Sequence, residues 1–317
     1  MTNIHEMTAS LEQFCETATG MRLCYSSHGD VHGQPMLLIA GLGLQLTSWS
    51  PLMLSGLVRR GFRVIVFDNR DVGRSSRVAA PPPGLWHQFF RLPAPGAYDL
   101  SDMAKDALAL LDHLGIERTH LVGMSMGGMI AQTMAFLSPQ RVISLTSIFS
   151  TTGARDIGQP ALSTLLRLIK RQAKSRDEAV LRNLSLMRHI GSTRYAMAEQ
   201  KMRVHAELAW ARGNGISAHE GVARQIGAIF KSGDRSAQVR AITAPTLVLH
   251  GDQDLMVAHS GGQATAAAIA GADFITIGGM GHYLPDGVMP VLLDLIGGHA
   301  RRSIASTPTV QEQEQTA

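Results

Sequence analysis

The residue types that could carry chemistry fall in three short stretches. The first is Gly123-Met124-Ser125-Met126-Gly127, preceded by the apolar pair Leu121-Val122 and followed by an Ala- and Met-containing run that stops before Pro139. A G-x-S-x-G pentapeptide between a strand and a helix makes a turn so tight that side chains at its glycines would collide with their neighbours. It also lifts the serine Oγ above the strand ends. The helix start behind it points free N–H groups at any developing oxyanion. Five-residue matches arise by chance, and an idle serine in a Gly-rich turn is the bland alternative; the strand before and the helix after carry the weight. The second stretch is Gly251-Asp252-Gln253-Asp254 and the third Gly278-Gly279-Met280-Gly281-His282, each just past an apolar run. A serine hydroxyl is a poor nucleophile at neutral pH and needs a base, and an imidazole base needs an orienting carboxylate. Ser125 is the candidate nucleophile, His282 the candidate base, and Asp252 and Asp254 compete as the acid.

These groups can meet only if their strands share one sheet and end at the same edge, where sites of open parallel sheets lie. Apolar runs at residues 36–40, 63–67, 119–122, 141–150, 244–250 and 274–277 read as strands covered on both faces. Helical patterns at 48–60, with Ser48 or Ser50 as cap, and at 99–114, 126–138, 261–271 and 289–299 alternate with them. The expected architecture is a mostly parallel sheet wound with helices. A hairpin of residues 11–17 and 21–26 precedes it, turning at Thr19-Gly20 and placing Cys15 opposite Cys24. A direct cross-strand disulfide there would be strained, so two buried thiols are expected. Residues 76–98, with Pro81, Pro82 and Pro83 in a row, read as an irregular loop. From 151 to 239 no strand pattern occurs. Helical stretches at 161–173 and 193–212 predict a cap inserted into a core of residues 1–150 and 240–300, with too little apolar content for a core of its own. Residues 1–10 read as a loose tail and 303–317 as a disordered one.

Composition narrows the function classes. The chain has 317 residues, 45% hydrophobic and 17% charged, as expected of an ordinary soluble globular protein. Its net charge of +4 comes from scattered residues with no run of five Lys or Arg, and only 5% are aromatic, so nucleic-acid binding is not expected. No apolar run is long enough to span a bilayer, and the first residues lack a basic-then-apolar signal pattern. Those readings predict a cytoplasmic protein without a membrane partner; a homo-oligomer is compatible with them. In 151–239 basic residues outnumber acidic ones by about two to one. A solvated face is the economical reading, attraction of anionic substrates the alternative. His28 and His32 have H-x-x-x-H spacing only within a Gly-containing turn, so no metal and no cofactor are expected. Asp68, Arg70 and Asp71 read as ion pairs bracing a loop. Met129, Met187, Met197 and Met202 read as core packing. Met124 and Met126 flank the nucleophile and are expected to line an adaptable apolar pocket, Met126 facing the acyl group.

The motifs and their order resemble the α/β-hydrolase fold superfamily. Three segments carry the resemblance more narrowly, to the serine carboxylesterase branch around aclacinomycin methylesterase. They are Ala40-Gly41-Leu42-Gly43-Leu44-Gln45-Leu46-Thr47-Ser48-Trp49, Phe67-Asp68-Asn69-Arg70-Asp71-Val72-Gly73-Arg74-Ser75 and Val122-Gly123-Met124-Ser125-Met126-Gly127-Gly128. The resemblance covers residues 20 to 300 and is weakest in the cap. It implies an eight-stranded, mostly parallel sheet flanked by helices, with Ser125 as nucleophile, Asp254 as acid, His282 as general base, and the N–H groups of Leu42 and Met126 as oxyanion hole. The G-x-x-D spacing usual in that family favours Asp254 and leaves Asp252 as a turn former. Many relatives have His-Gly where this chain has Ala40-Gly41, which bears on how the oxyanion loop is shaped.

The expected activity is hydrolysis of a short-to-medium, apolar carboxylic ester through an acyl-enzyme, the partner being a small-molecule ester. Lactone hydrolysis, carbon–carbon bond hydrolysis and cofactor-free perhydrolysis could use the same three groups. A serine at the elbow argues against the Asp-nucleophile dehalogenases and epoxide hydrolases. A small-molecule receptor with a vestigial site is the non-enzymatic alternative, and the presence of all three groups argues against it.

Overall fold

The computed structural model describes residues 12–305 except 19, 85, 86, 88, 89, 91, 169–172 and 214. The tail expected at residues 1–10, and residues 306–317 of the tail expected at 303–317, lie outside the described residues.

Eight strands form one sheet: β1 (Gln13–Glu16), β2 (Arg22–His28), β3 (Gln34–Ile39), β4 (Phe62–Phe67), β5 (Thr119–Met124), β6 (Val142–Ile148), β7 (Thr246–Gly251) and β8 (Asp273–Ile277). Their order is β1-β2-β4-β3-β5-β6-β7-β8. The pairs β1/β2 and β2/β4 are antiparallel and all others parallel. Residues of β3 show why the central strands read as unbroken apolar runs. Leu37 and Ile39 enter the core on one face, Met36 and Leu38 the core on the other. A strand buried on both faces needs apolar residues at every position.

Helices cover both faces. On one lie α1 (Pro51–Val58) and α10 (Met289–Ala305), through Met53, Leu57, Leu292 and Ile296. On the other lie α2 (Leu100–His113) and α3 (Met126–Leu137), through Met103, Leu110, Ile130 and Met134. Helix α1 starts where Ser50 accepts from Met53 N–H with Pro51 in the first turn; α2 starts at Asp99, which accepts from Ser101 and Asp102 N–H. Between β6 and β7 run α4 (Leu162–Leu168), α5 (Arg176–Ile190), α6 (Glu199–Arg212), α7 (Ala218–Ser232) and α8 (Ser236–Arg240); α9 (Ser260–Ala268) joins β7 to β8. The insertion's own buried cluster is small, formed by Val180, Leu184 and Ala206.

Several expectations shift. The hairpin pairs Cys15 with Leu23 and Phe14 with Cys24, one residue off the expected register. Because side chains alternate, the two thiols enter opposite faces of the sheet, Cys15 in the core that contains Leu37 and Cys24 in the core that contains Met36, and both are free and buried. Burial, with the Asp68 charge, pushes the Cys24 thiol up to about 12. The last helix runs on to Ala305, past the expected start of a tail at 303, because Ala300 and Ser303 are buried. Helices α5 and α7 are absent from the sequence reading. No helix among the described residues is long and apolar enough to cross a membrane.

Candidate active site

The turn at Ser125 is built by close approach. A Cβ on Gly123 would sit 2.2 Å from the Gly127 carbonyl oxygen, and one on Gly127 would sit 2.0 Å from the Ile39 oxygen. Only glycine lets β5, α3 and the end of β3 pack at these distances. Ser125 itself has φ 55°, a left-handed conformation that costs a serine roughly 1–3 kcal/mol. Its N–H donates to Ile148 O at 2.9 Å, and its carbonyl accepts from Ser150 Oγ at 2.8 Å. The strained residue is therefore fixed from the end of β6.

The structure brings the three expected groups together. Ser125 Oγ lies 2.9 Å from His282 Nε2, and His282 Nδ1 lies 2.7 Å from Asp254 Oδ2. Asp254 Oδ1 accepts from the N–H groups of Met256 and Val257 at 2.8 and 2.9 Å. Burial pushes this carboxyl up. The facing His282 charge and the hydrogen bonds from His250, His282 and Val257 outweigh that and hold it well below the ordinary carboxylate range. It stays an anion that can orient an imidazole and stabilise an imidazolium. Asp252 is exposed and accepts from Gly279 N–H at 2.7 Å, bracing the loop that carries His282.

Gly41 stands beside the serine, for a Cβ there would come within 3.1 Å of Ser125 Cβ. Leu42 follows on the same loop. Met126 is the first residue of α3, so no carbonyl of that helix stands four residues before its N–H. The side chains of Met124 and Met126 are both buried, in the cores on opposite faces of the sheet.

Two neighbours escaped the sequence reading. Phe149 has φ 37° and its ring centroid lies 4.4 Å from that of His282. His250, wholly buried in β7, directs Nε2 at Val257 O, 2.9 Å away, and stands 3.4 Å from Asp254 Oδ2. Its place in an apolar run four residues before Asp254 was the available signal. Asp68, Arg70 and Asp71 do form ion pairs, but two of their partners lie in the insertion. Asp68 meets Arg212 at 2.6 Å and Asp71 meets Arg224 at 2.7 Å, while Arg70 meets Asp106 of α2 at 2.6 Å. Part of the insertion's basic excess is thus buried against the core, where a solvated face was expected. A cleft of about 430 Å³ lined by Arg22, Arg74 and Arg77 and one of about 150 Å³ lined by Lys231 and Arg235 include none of Ser125, Asp254 and His282. Among the described residues, no group of three or more His, Cys, Asp or Glu could hold a metal ion.

Residues 34–286 match the alpha/beta hydrolase fold family. The chain belongs to that family. This α/β-hydrolase is 29% identical to the rhodomycin D methylesterase of Streptomyces peucetius and 30% identical to that of Streptomyces sp. (strain C5). Each match covers 86% of this chain and 93% of the relative. Among solved structures, the enol-lactonase from Burkholderia xenovorans LB400 superposes with a TM-score of 0.68 at 22% identity, covering 93% of this chain and all of that one. Membership and relatives together support a hydrolase of the esterase type.

Proposed function

We propose that this α/β-hydrolase is a serine carboxylesterase acting on short-to-medium, apolar carboxylic esters. The observation that carries the proposal is the unbroken relay Ser125 Oγ–His282–Asp254, at 2.9 and 2.7 Å. Ser125 attacks the ester carbonyl while His282 Nε2 takes its proton. Asp254 holds the ring with Nδ1–H toward the carboxylate. The N–H groups of Leu42 and Met126 receive the oxyanion, His282 returns the proton to the leaving alcohol, and water completes the cycle by the same route. The two rhodomycin D methylesterases support an ester as substrate.

The helical insertion is the cap of this site. Phe149 on His282, half-buried Leu42 and Leu44 on the oxyanion loop, and Val222 of α7 over Gly43 make the surroundings apolar. Arg212 and Arg224 are committed to buried aspartates, which weakens the case for an anionic substrate. Met124 and Met126 flank the serine in the chain, their side chains in the cores on opposite faces of the sheet. The test is kcat/KM across p-nitrophenyl esters from acetate to palmitate, with a hemisuccinate ester included. A maximum at short or medium chain length is expected. Preference for palmitate or for the hemisuccinate would overturn the substrate assignment.

A further inference from the structure

The oxyanion loop is not held by the core alone. Gln225 of α7, wholly buried, reaches across from the cap. Its Oε1 accepts from Gly43 N–H at 2.9 Å and its Nε2 donates to Arg70 O at 2.9 Å. One amide orientation alone satisfies both bonds, so the side chain is locked between Gly43 and the polar loop after β4. Two residues further along the oxyanion loop, Gln45 donates to Ala209 O of α6 at 2.8 Å and accepts from Arg212 Nη1 at 3.1 Å. Arg212 also meets Asp68, whose Oδ1 accepts from Leu46 N–H at 2.7 Å. From the core side, Asn69 Nδ2 donates to Ala40 O at 3.1 Å. The cap thus reaches both residues that frame Leu44, beginning with the one directly after Leu42.

We infer that Gln225 is a positioning residue for the oxyanion hole, and that the cap presets this loop for catalysis as well as roofing the site. The inference rests on the proposed esterase mechanism and goes beyond it. An oxyanion donor is effective only when it is aimed before the charge develops, because reorientation during the reaction would cost what the hydrogen bond returns. A loop with glycine at 41 and 43 has little stiffness of its own. Gly43 takes φ 67°, and a Cβ there would come within 2.9 Å of Val222 Cγ2, one turn before Gln225 on the same helix. The helix therefore fixes Gly43 through its backbone N–H and by contact. With Gln225 removed, Gly43 N–H loses a buried acceptor, and the Leu42 peptide beside it, still within the turn closed by Leu44 N–H on Gly41 O at 3.1 Å, is held less firmly toward the oxyanion.

The test compares wild type with Gln225→Met, which keeps the length and removes both hydrogen bonds. With p-nitrophenyl butyrate, kcat should fall about 10- to 100-fold, less than for outright loss of an oxyanion donor, with KM changed less than about twofold. An aryl trifluoromethyl ketone provides the readout that a merely structural role would not move. Ser125 Oγ bonds to its carbonyl carbon, the serine proton passes to His282, and the former carbonyl oxygen becomes an oxyanion in the hole. Its affinity should fall by the same factor as kcat. Unchanged kcat, or lost kcat with unchanged ketone affinity, would overturn the inference. Should Gln225→Met fail to fold, amide hydrogen exchange of the wild-type enzyme carries the test. Gly43 N–H is expected to be protected in the free enzyme and no more protected in the ketone adduct; protection acquired only in the adduct would overturn the inference. A wild type without ester turnover would refute the esterase reading instead, and the exchange of Gly43 in the free enzyme would still report whether the cap holds the loop.

Discussion

Ser125, Asp254 and His282 hang from the ends of β5, β7 and β8, whereas Gln225, Arg212 and Ile190 reach the same region from helices that belong to no sheet. The two regions meet at two loops of the proposed site. On one, Gln225 and Arg212 hold residues 43 and 45. On the other, His282 N–H donates to Ile190 O at 2.7 Å and Gly281 N–H donates to Ser192 Oγ at 3.1 Å. A strand end places a side chain through backbone already fixed by the ladder, on both sides for β5 and β7 and on one side for β8. A cap helix places a loop through a few long-range side-chain contacts, each of which a single substitution removes. The sheet edge should therefore govern whether chemistry occurs, and the cap how well the site is assembled.

The largest effect expected on the sheet side separates the two aspartates. Asp254→Asn should lower kcat by about 10⁴-fold, because the imidazole loses the partner that fixes its tautomer. Asp252→Asn should cost less than about tenfold, since Gly279 N–H keeps an amide oxygen as acceptor. Equal losses in the two variants would erase the distinction drawn between catalytic acid and loop brace.

On the cap side, Arg212→Met should leave Asp68 buried and unpaired. Removing one member of a buried ion pair costs about 3–5 kcal/mol, so the unfolding midpoint in urea should fall clearly. The same variant leaves Ser125, His282 and Asp254 untouched, so labelling of the serine by a fluorophosphonate at low temperature should persist. Loss of labelling in the folded variant would show that the cap and the triad are one unit and would break the comparison.

A smaller effect probes the core through pH. Burial lowers the His120 imidazole to about 4, aided by the nearby His299 and Arg118 charges. The unfolded chain binds that proton near pH 6.5 and the folded one only near 4, so stability is full above about 6.5 and declines as pH falls toward 4. The decline is on the order of 3 kcal/mol for this group. Urea midpoints measured from pH 7 to 4 should show a shallower decline for His120→Asn, which retains a hydrogen-bonding group toward Ser144. Identical slopes would remove His120 from the acid limb.

What the sequence reveals divides along the same line. The serine turn, the two loops after β7 and β8 and the alternation of strands with helices are local patterns, and all lie where the spacing places them. Leu37 and Met36 illustrate why: a strand buried on both faces announces itself in a run of adjacent apolar residues. The cap gives weaker signals. Helix α5 buries only Val180, Leu184 and Ile190 of its fifteen residues, too few for a periodic stripe. Arg212, Arg224 and Gln225 look like surface residues in sequence because their partners Asp68, Asp71 and Gly43 stand 144, 153 and 182 positions away. The hairpin register failed for a related reason. Thr17 N–H and Met21 O close the turn, which puts Cys15 across from Leu23, and a shift of one residue sends a thiol to the other face.

In the proposed mechanism, ester hydrolysis proceeds through an acyl group on Ser125. Rapid mixing with p-nitrophenyl butyrate, quenching in acid and mass analysis of the intact and digested protein would test it most directly. The expected result is a burst of p-nitrophenol close to one equivalent per chain. It should coincide with a butyryl adduct on the peptide containing Ser125, and both should be absent from Ser125→Ala. Turnover by Ser125→Ala in a pure preparation, or an adduct on any other residue that forms and decays at the rate of turnover, would contradict it.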